Sequence, residues 1–189
     1  MFDDDLKFKS HFDYLSTKIS RTIGILNRIK EFVLYSTMTT LYNSLIYPYL
    51  IYCNLVWGGT FQTNLSSLVI LQKKAIRIIH SKPYGSHTKP LFYESKMLNL
   101  FDIHNYLLGI YMYNAESSQF TRTHTYSTRN RDQLLPRFHR LALSQKCVSY
   151  SGPVLWNSLP NDIKTCQSLT TFKFHLKRYL VSKYSADES

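Results

Sequence analysis

A chain of 189 residues with 44% hydrophobic and 15% aromatic side chains is long enough for one domain or two small ones, and too apolar to remain disordered. Its formal net charge of +11 sets 23 Lys and Arg against 12 Asp and Glu, and five of those acids (Asp3, Asp4, Asp5, Asp187 and Glu188) sit at the two ends. The interior is therefore strongly basic, which disfavours cationic partners and favours a polyanion such as nucleic acid or an acidic membrane surface.

Asp3 to Lys9 is charged where a secretory leader would need an apolar run. Ser10 with Asp13 has the spacing of a capping box and predicts a helix to about Phe32. Phe12, Leu15, Ile19, Ile23 and Leu26 recur at helical spacing on its inner face, and Arg21 and Arg28 fall opposite. Gly24 weakens that helix. A second helix is predicted from near Ser36 through Leu41, Leu45 and Ile46, to be kinked or ended by Pro48. Tyr49 to Trp57 is apolar nearly all round and is expected to be buried; Gly58-Gly59 then makes a turn. The longest apolar stretch, Leu45 to Trp57, is too short to span a bilayer and is interrupted by Pro48 and Asn54.

Asn64 is placed to cap a third helix to about His80. Leu65, Leu68, Gln72, Ala75, Ile76 and Ile79 form its inner face, and Lys73, Lys74 and Arg77 its outer one. Gln72, in mid-stripe, is expected to be hydrogen-bonded inside the bundle. Ser81 to Lys89 is loop-like, and Thr88 with Pro90 starts a short helix through Met97. Asp102 is expected to cap a helix carrying Ile103, Tyr106, Leu107 and Ile110. Ser117 to Asp132 is polar and basic without a period, a candidate linker or mobile loop. Cys147-Val148-Ser149-Tyr150 is compatible with a short strand, Ser151-Gly152-Pro153 with a turn, and Trp156 to Pro160 with a compact corner. Ser168 caps a last helix with Leu169, Phe172, Leu176, Tyr179 and Leu180 inside and Lys173, Lys177 and Arg178 outside. The fold class is mainly α, a helical bundle followed by a smaller, mostly helical region with irregular loops and room for one short strand pair.

Catalytic motifs are missing. Phe2-Asp3-Asp4-Asp5 is superficially similar to a polymerase metal motif, but a palm also needs an aspartate far upstream, and two residues precede Asp3. Cys53, Cys147 and Cys166 form no close pair with one another or with histidine, which argues against structural zinc and for free thiols in an intracellular chain. The six glycines are scattered, and neither a nucleophile elbow nor a phosphate loop is present. No catalytic residue, metal ligand or cofactor is assigned.

The cations are the stronger signal. Besides Arg21, Arg28, Lys73, Lys74, Arg77, Lys173, Lys177 and Arg178, a second group (Arg122, Arg129, Arg131, Arg137, Arg140 and Lys146) surrounds Asp132, the only acid there. Neutralising phosphates releases counterions, and Tyr126 and Phe138 among these cations are suited to stacking on unpaired bases. The 15 tyrosines also suit half-wet interfaces.

The stretch Leu41 to Ile79, with Tyr42 to Gly58 and Leu71 to Ile79 as its two blocks, resembles the segment that follows the palm in reverse transcriptases of LINE-type (non-LTR, Jockey-like) retrotransposons. Lys18-Ile19-Ser20-Arg21 with Gly24 and Leu26 looks like that family's first thumb helix. His87-Thr88, Pro90-Leu91-Phe92 and Lys96 to Leu100 are similar to the block after the thumb. Thr128-Arg129-Asn130, Tyr150 to Pro153, Leu155 to Pro160, Phe172-Lys173 and Leu176-Lys177 are similar to the C-terminal tail. Asp5-Leu6, Lys9-Ser10 and His11 resemble the exit from the palm. The resemblance implies residues 1–10 as that exit, 11–82 as a thumb-like bundle, 83–116 as connecting helices, 117–133 as a basic linker and 134–189 as the tail.

It further implies a fragment of an RNA-directed DNA polymerase whose magnesium and catalytic carboxylates belong to a palm upstream. Such a fragment is not an enzyme by itself. Its partners would be RNA or DNA and that upstream polymerase region, with no membrane, in cytoplasm or nucleus. The family's C-terminal zinc knuckle is not matched. Two other readings stand beside this one: a non-functional relic of a decayed element, and a protein-interaction module working through tyrosine-rich apolar surface. Uncovered apolar surface would make the isolated chain poorly soluble.

Overall fold

The computed structural model describes residues 8–115, 133–137 and 139–185. The chain is mainly α. Among the described residues there are ten α-helices: α1 Lys9–Ile29, α2 Tyr35–Leu45, α3 Tyr47–Ile51, α4 Asn54–Trp57, α5 Gln62–Ile79, α6 Lys89–Glu94, α7 Leu100–Asn114, α8 Val148–Ser158, α9 Asn161–Lys164 and α10 Leu169–Ser182. A short 3-10 turn, Ser144–Lys146, precedes α8.

Helices α1 and α5 make the most extensive helix pair. The predicted stripes do this work: Phe12, Leu15, Ile19, Ile23 and Leu26 of α1 are buried, as are Leu65, Leu68, Ala75, Ile76 and Ile79 of α5. Ser16 Oγ donates to Ser67 Oγ across the pair at 3.3 Å. Met38, Tyr42 and Ile46 bring α2 into the same core. Gln72 is buried, and its Nε2 donates to the Tyr42 hydroxyl at 2.9 Å and to the Leu98 carbonyl at 3.0 Å, so the expected internal hydrogen bonding is present.

Helix α7 joins this bundle to the C-terminal helices, packing against α3, α4 and α5 on one side and α8 and α10 on the other. At Gly109 the α10 residue Leu176 comes so close that a β-carbon would lie 2.6 Å from its Cδ2. Tyr113 stacks on Phe172 with ring centroids 4.4 Å apart, and its hydroxyl donates to the Cys166 carbonyl at 2.9 Å.

Several local expectations are corrected. Helix α1 begins at Lys9, so Ser10 and Asp13 lie inside it and form no capping box; left-handed Phe8 precedes the helix without a side-chain cap. Burial of Phe8 against Phe12 (centroids 6.3 Å apart) accounts for the earlier start, and the helix ends at Ile29 rather than Phe32. Helix α5 likewise starts at Gln62, ahead of Asn64, whose Nδ2 instead donates to Thr60 Oγ1 at 3.3 Å. The α6 start after Thr88 stands, but the helix stops at Glu94, before left-handed Lys96. Asn99, not Asp102, caps α7: its extended backbone lets Oδ1 accept from the Asp102 amide at 3.0 Å, while Asp102 accepts from the Asn99 side chain. Ser168 caps α10 as expected, accepting from the Thr171 amide.

The stretch Tyr49 to Trp57 is not buried all round. It divides at left-handed Cys53 into α3 and α4, turning Leu50, Asn54 and Trp57 inward and leaving Tyr52 and Val56 exposed. Cys147 to Tyr150 is not a strand, and Ser151 to Pro153 is not a turn. Extended Cys147 is the N-cap of α8, and Gly152 and Pro153 lie buried within that helix. Gly152 admits the Met112 sulfur, which would stand 2.5 Å from a β-carbon, so close packing on α7 overrides the local turn preference. Leu134 is instead held by the Asn157 side chain of α8, with which its backbone exchanges hydrogen bonds at 2.9 and 2.8 Å.

Gly24 lies exposed in the interior of α1, and a β-carbon there would meet nothing within 4 Å. Gly24→Ala is expected to raise unfolding free energy by about 0.5–1 kcal/mol through reduced backbone entropy of the unfolded chain. Urea denaturation checks this, and a loss of stability would contradict the packing described.

Candidate nucleic-acid interface

The periodicity that buries the inner face of α1 turns Arg21 and Arg28 outward, and both are exposed. Tyr14 lies seven positions before Arg21 and shares the stripe. The Lys18 ammonium stands 5.5 Å from the centroid of the Tyr14 ring. On α5 the same logic exposes Lys73 and Lys74. Arg77 is half-buried and held: Nε donates to the Ser86 carbonyl at 2.9 Å, and the guanidinium lies 5.5 Å from the Tyr84 ring centroid. The connection beyond α5 folds back to make these contacts, with left-handed Ser81 and a bond from the Lys82 amide to the Arg77 carbonyl at 2.9 Å.

Among the described residues, none of Arg21, Arg28, Lys73, Lys74 and Arg77 pairs with a carboxylate. Because α1 and α5 are packed together, these five cations occupy the outer sides of adjacent helices, and no described acid neutralises them.

The remaining predicted residues are not all gathered there. Helix α10 packs chiefly on α7, so its cations are held on a different part of the fold. Lys173 is half-buried and Arg178 exposed. Lys177 lines a cavity of about 130 Å³ beside Tyr42, Asn43, Tyr47 and Tyr106. Arg137 and Arg140 are exposed on the segment leading to the Ser144–Lys146 turn. Arg122, Arg129 and Arg131, together with Tyr126 and Phe138, lie outside the described residues. The sequence reading missed the bracing of Arg77 by Tyr84 and Ser86, for which no periodicity gives a signal. It also missed the Tyr14–Lys18 contact, which four-residue helical spacing does signal.

Burial holds His11, His80 and His104 below the ordinary imidazole value of 6.5 and lifts Tyr42 and Tyr184 above the ordinary phenol value of 10. Below about pH 6.5 the unfolded chain binds more protons than the folded one, so stability is lost as pH falls. Above about pH 10 the folded tyrosines keep protons that the unfolded chain releases, so stability is lost as pH rises. Urea midpoints are therefore expected to be highest between about pH 6.5 and about pH 10. A midpoint unchanged from about pH 7 to about pH 5 would contradict the buried neutral histidines.

The three cysteines are free thiols. Among the described residues, no group of three or more His, Cys, Asp or Glu side chains is gathered as a metal site. Among those residues, too, no helix is long and apolar enough to cross a membrane. Comparison of the chain with protein-family models, with curated proteins and with solved structures finds no match.

Proposed function

We propose that this chain is the nucleic-acid-gripping portion of a LINE-type reverse transcriptase. In this reading it is a thumb and C-terminal region that holds primer-template duplex or element RNA, while metal-dependent nucleotide addition belongs to a palm domain. The observation that carries the reading is the set of cations on α1 and α5 that pair with no carboxylate among the described residues, above all Lys73, Lys74 and the braced Arg77. Phosphate oxygens on a duplex are spaced so that a helix face with several cations meets more than one at once, and each neutralised phosphate releases counterions. A fixed Arg77 loses less side-chain entropy on contact than a free arginine would.

Fluorescence anisotropy with an end-labelled RNA–DNA hybrid tests the proposal. Binding that weakens steeply as salt rises supports it; affinity that is indifferent to salt argues against it. That second outcome would favour protein docking, for which there is also a specific observation. A mostly apolar groove of about 590 Å³ runs between α1 and α3, lined by His11, Tyr14, Leu15, Pro48, Tyr49 and Tyr52. Apolar docking buries such surface without counterion release.

A further inference from the structure

A separate concavity of about 370 Å³ opens where the Gly58-Gly59 turn, the middle of α7, the Ser144–Lys146 turn and α8 meet. Gln62, His104, Lys146 and Ser151 are among its polar lining, Phe101 and Leu108 among its apolar lining, and no carboxylate lines it among the described residues.

His104 is the group that the fold alone does not account for. It is only 8% exposed. Its Nδ1 is 3.0 Å from Asn54 Oδ1 and 3.3 Å from the Asn54 carbonyl. The Asn54 Nδ2 already donates to the Leu50 carbonyl at 2.8 Å, so Oδ1 faces the imidazole and the hydrogen-bond network assigns the proton to Nδ1. The neutral ring then carries a lone pair on Nε2, which has no partner among the described residues and borders the cavity. A β-carbon on Gly59 would stand 3.3 Å from this Nε2 and 2.8 Å from the Lys146 carbonyl, so glycine keeps the space beside His104 clear. Lys146 lies at the rim, its ammonium 5.8 Å from the Phe61 ring centroid, and it pairs with no carboxylate among the described residues. The first turn of α5, which has no side-chain cap, adds positive potential beside Gln62.

A lone-pair acceptor on a largely buried ring, with a lysine lining the same cavity, suits a ligand that is anionic and still carries a proton. A phosphate monoester meets both conditions close to its second ionisation, near about pH 6, where about half of it is the monoanion that keeps one proton. Its P–O–H donates to Nε2 while its other oxygens accept from the ammonium. The cavity has the volume of small-ligand sites, and Phe101 and Leu108 offer apolar wall to an attached sugar or base. We propose that this cavity binds a phosphate monoester, the terminal phosphate of a nucleotide or of a nucleic-acid strand, between Lys146 and His104. The proposal is independent of the polymerase reading and of the cations on α1 and α5.

Side-chain NMR of the His104 ring in the full chain, titrated with AMP and with adenosine as the neutral control, tests it. AMP is expected to shift the His104 resonances and adenosine to leave them in place. Lys146→Gln, at an exposed position, is expected to keep the fold and weaken AMP binding about tenfold. An unmoved His104 signal, an equal response to adenosine, or full affinity in Lys146→Gln overturns the proposal. Two RNA strands of one sequence, with and without a 5′-phosphate, then separate the sources. Tighter binding of the phosphorylated strand that is lost in Lys146→Gln assigns the strand end. Equal binding of both strands, with the AMP response intact, assigns the free nucleotide.

Discussion

Gln72→Ala is expected to destabilise the protein by about 3 kcal/mol. The side chain is 1% exposed, and its amide serves two buried acceptors on different parts of the fold, the Tyr42 hydroxyl of α2 and the Leu98 carbonyl just before α7. Truncation strands both acceptors away from water, at roughly 1–3 kcal/mol each before relaxation, and opens a cavity as well. Gln72→Leu refills the volume but leaves the acceptors unmet, so a loss of about 2 kcal/mol is expected. Tyr42→Phe removes one acceptor and lets Gln72 keep Leu98, at a cost of about 1 kcal/mol. Urea denaturation near pH 8 of all three variants gives the ordering. An alanine variant no weaker than the phenylalanine one would show that the network is not what ties α2, α5 and α7 together.

The second large effect concerns binding. The triple substitution Lys73→Gln, Lys74→Gln and Arg77→Gln is expected to weaken association with an RNA–DNA hybrid roughly a hundredfold at about 0.15 M salt. That follows from about 1 kcal/mol of counterion release per lost phosphate contact. Stability should hardly change, since Lys73 and Lys74 are exposed and Arg77 gives up one bond to the Ser86 carbonyl and its contact with Tyr84. Lys177→Gln is the informative control. Its side chain borders a small tyrosine-lined cavity, on a helix that packs chiefly on α7, and a change below about threefold is expected.

Long amphipathic segments were legible because helical period alone decides which side chains face inward. The inner faces of α1, α5 and α10, and the hydrogen-bonded Gln72 among the apolar residues of α5, follow directly from spacing. Where local signals and packing disagreed, packing won. Phe8 draws the start of α1 past the apparent capping box, and Met112 seated on Gly152 keeps a glycine-proline step helical. The apolar stretch after Pro48 misled because left-handed Cys53 splits it into two short helices that each bury only one side. Of the candidate interface, the outward set of Arg21, Arg28, Lys73 and Lys74 could be read from periodicity. The anchoring of Arg77 could not, since it depends on how the chain folds back after α5, nor could the placing of Lys177 beside tyrosines from α2, α3 and α7.

The most direct test of the central claim is the slope of log affinity against log salt for an RNA–DNA hybrid, measured for the native chain and for the triple variant of Lys73, Lys74 and Arg77. If these side chains each neutralise a phosphate, the variant's slope will be shallower by about two to three. Equal slopes for the two proteins would contradict the account, because the cations of α5 would then take no part in holding the strand.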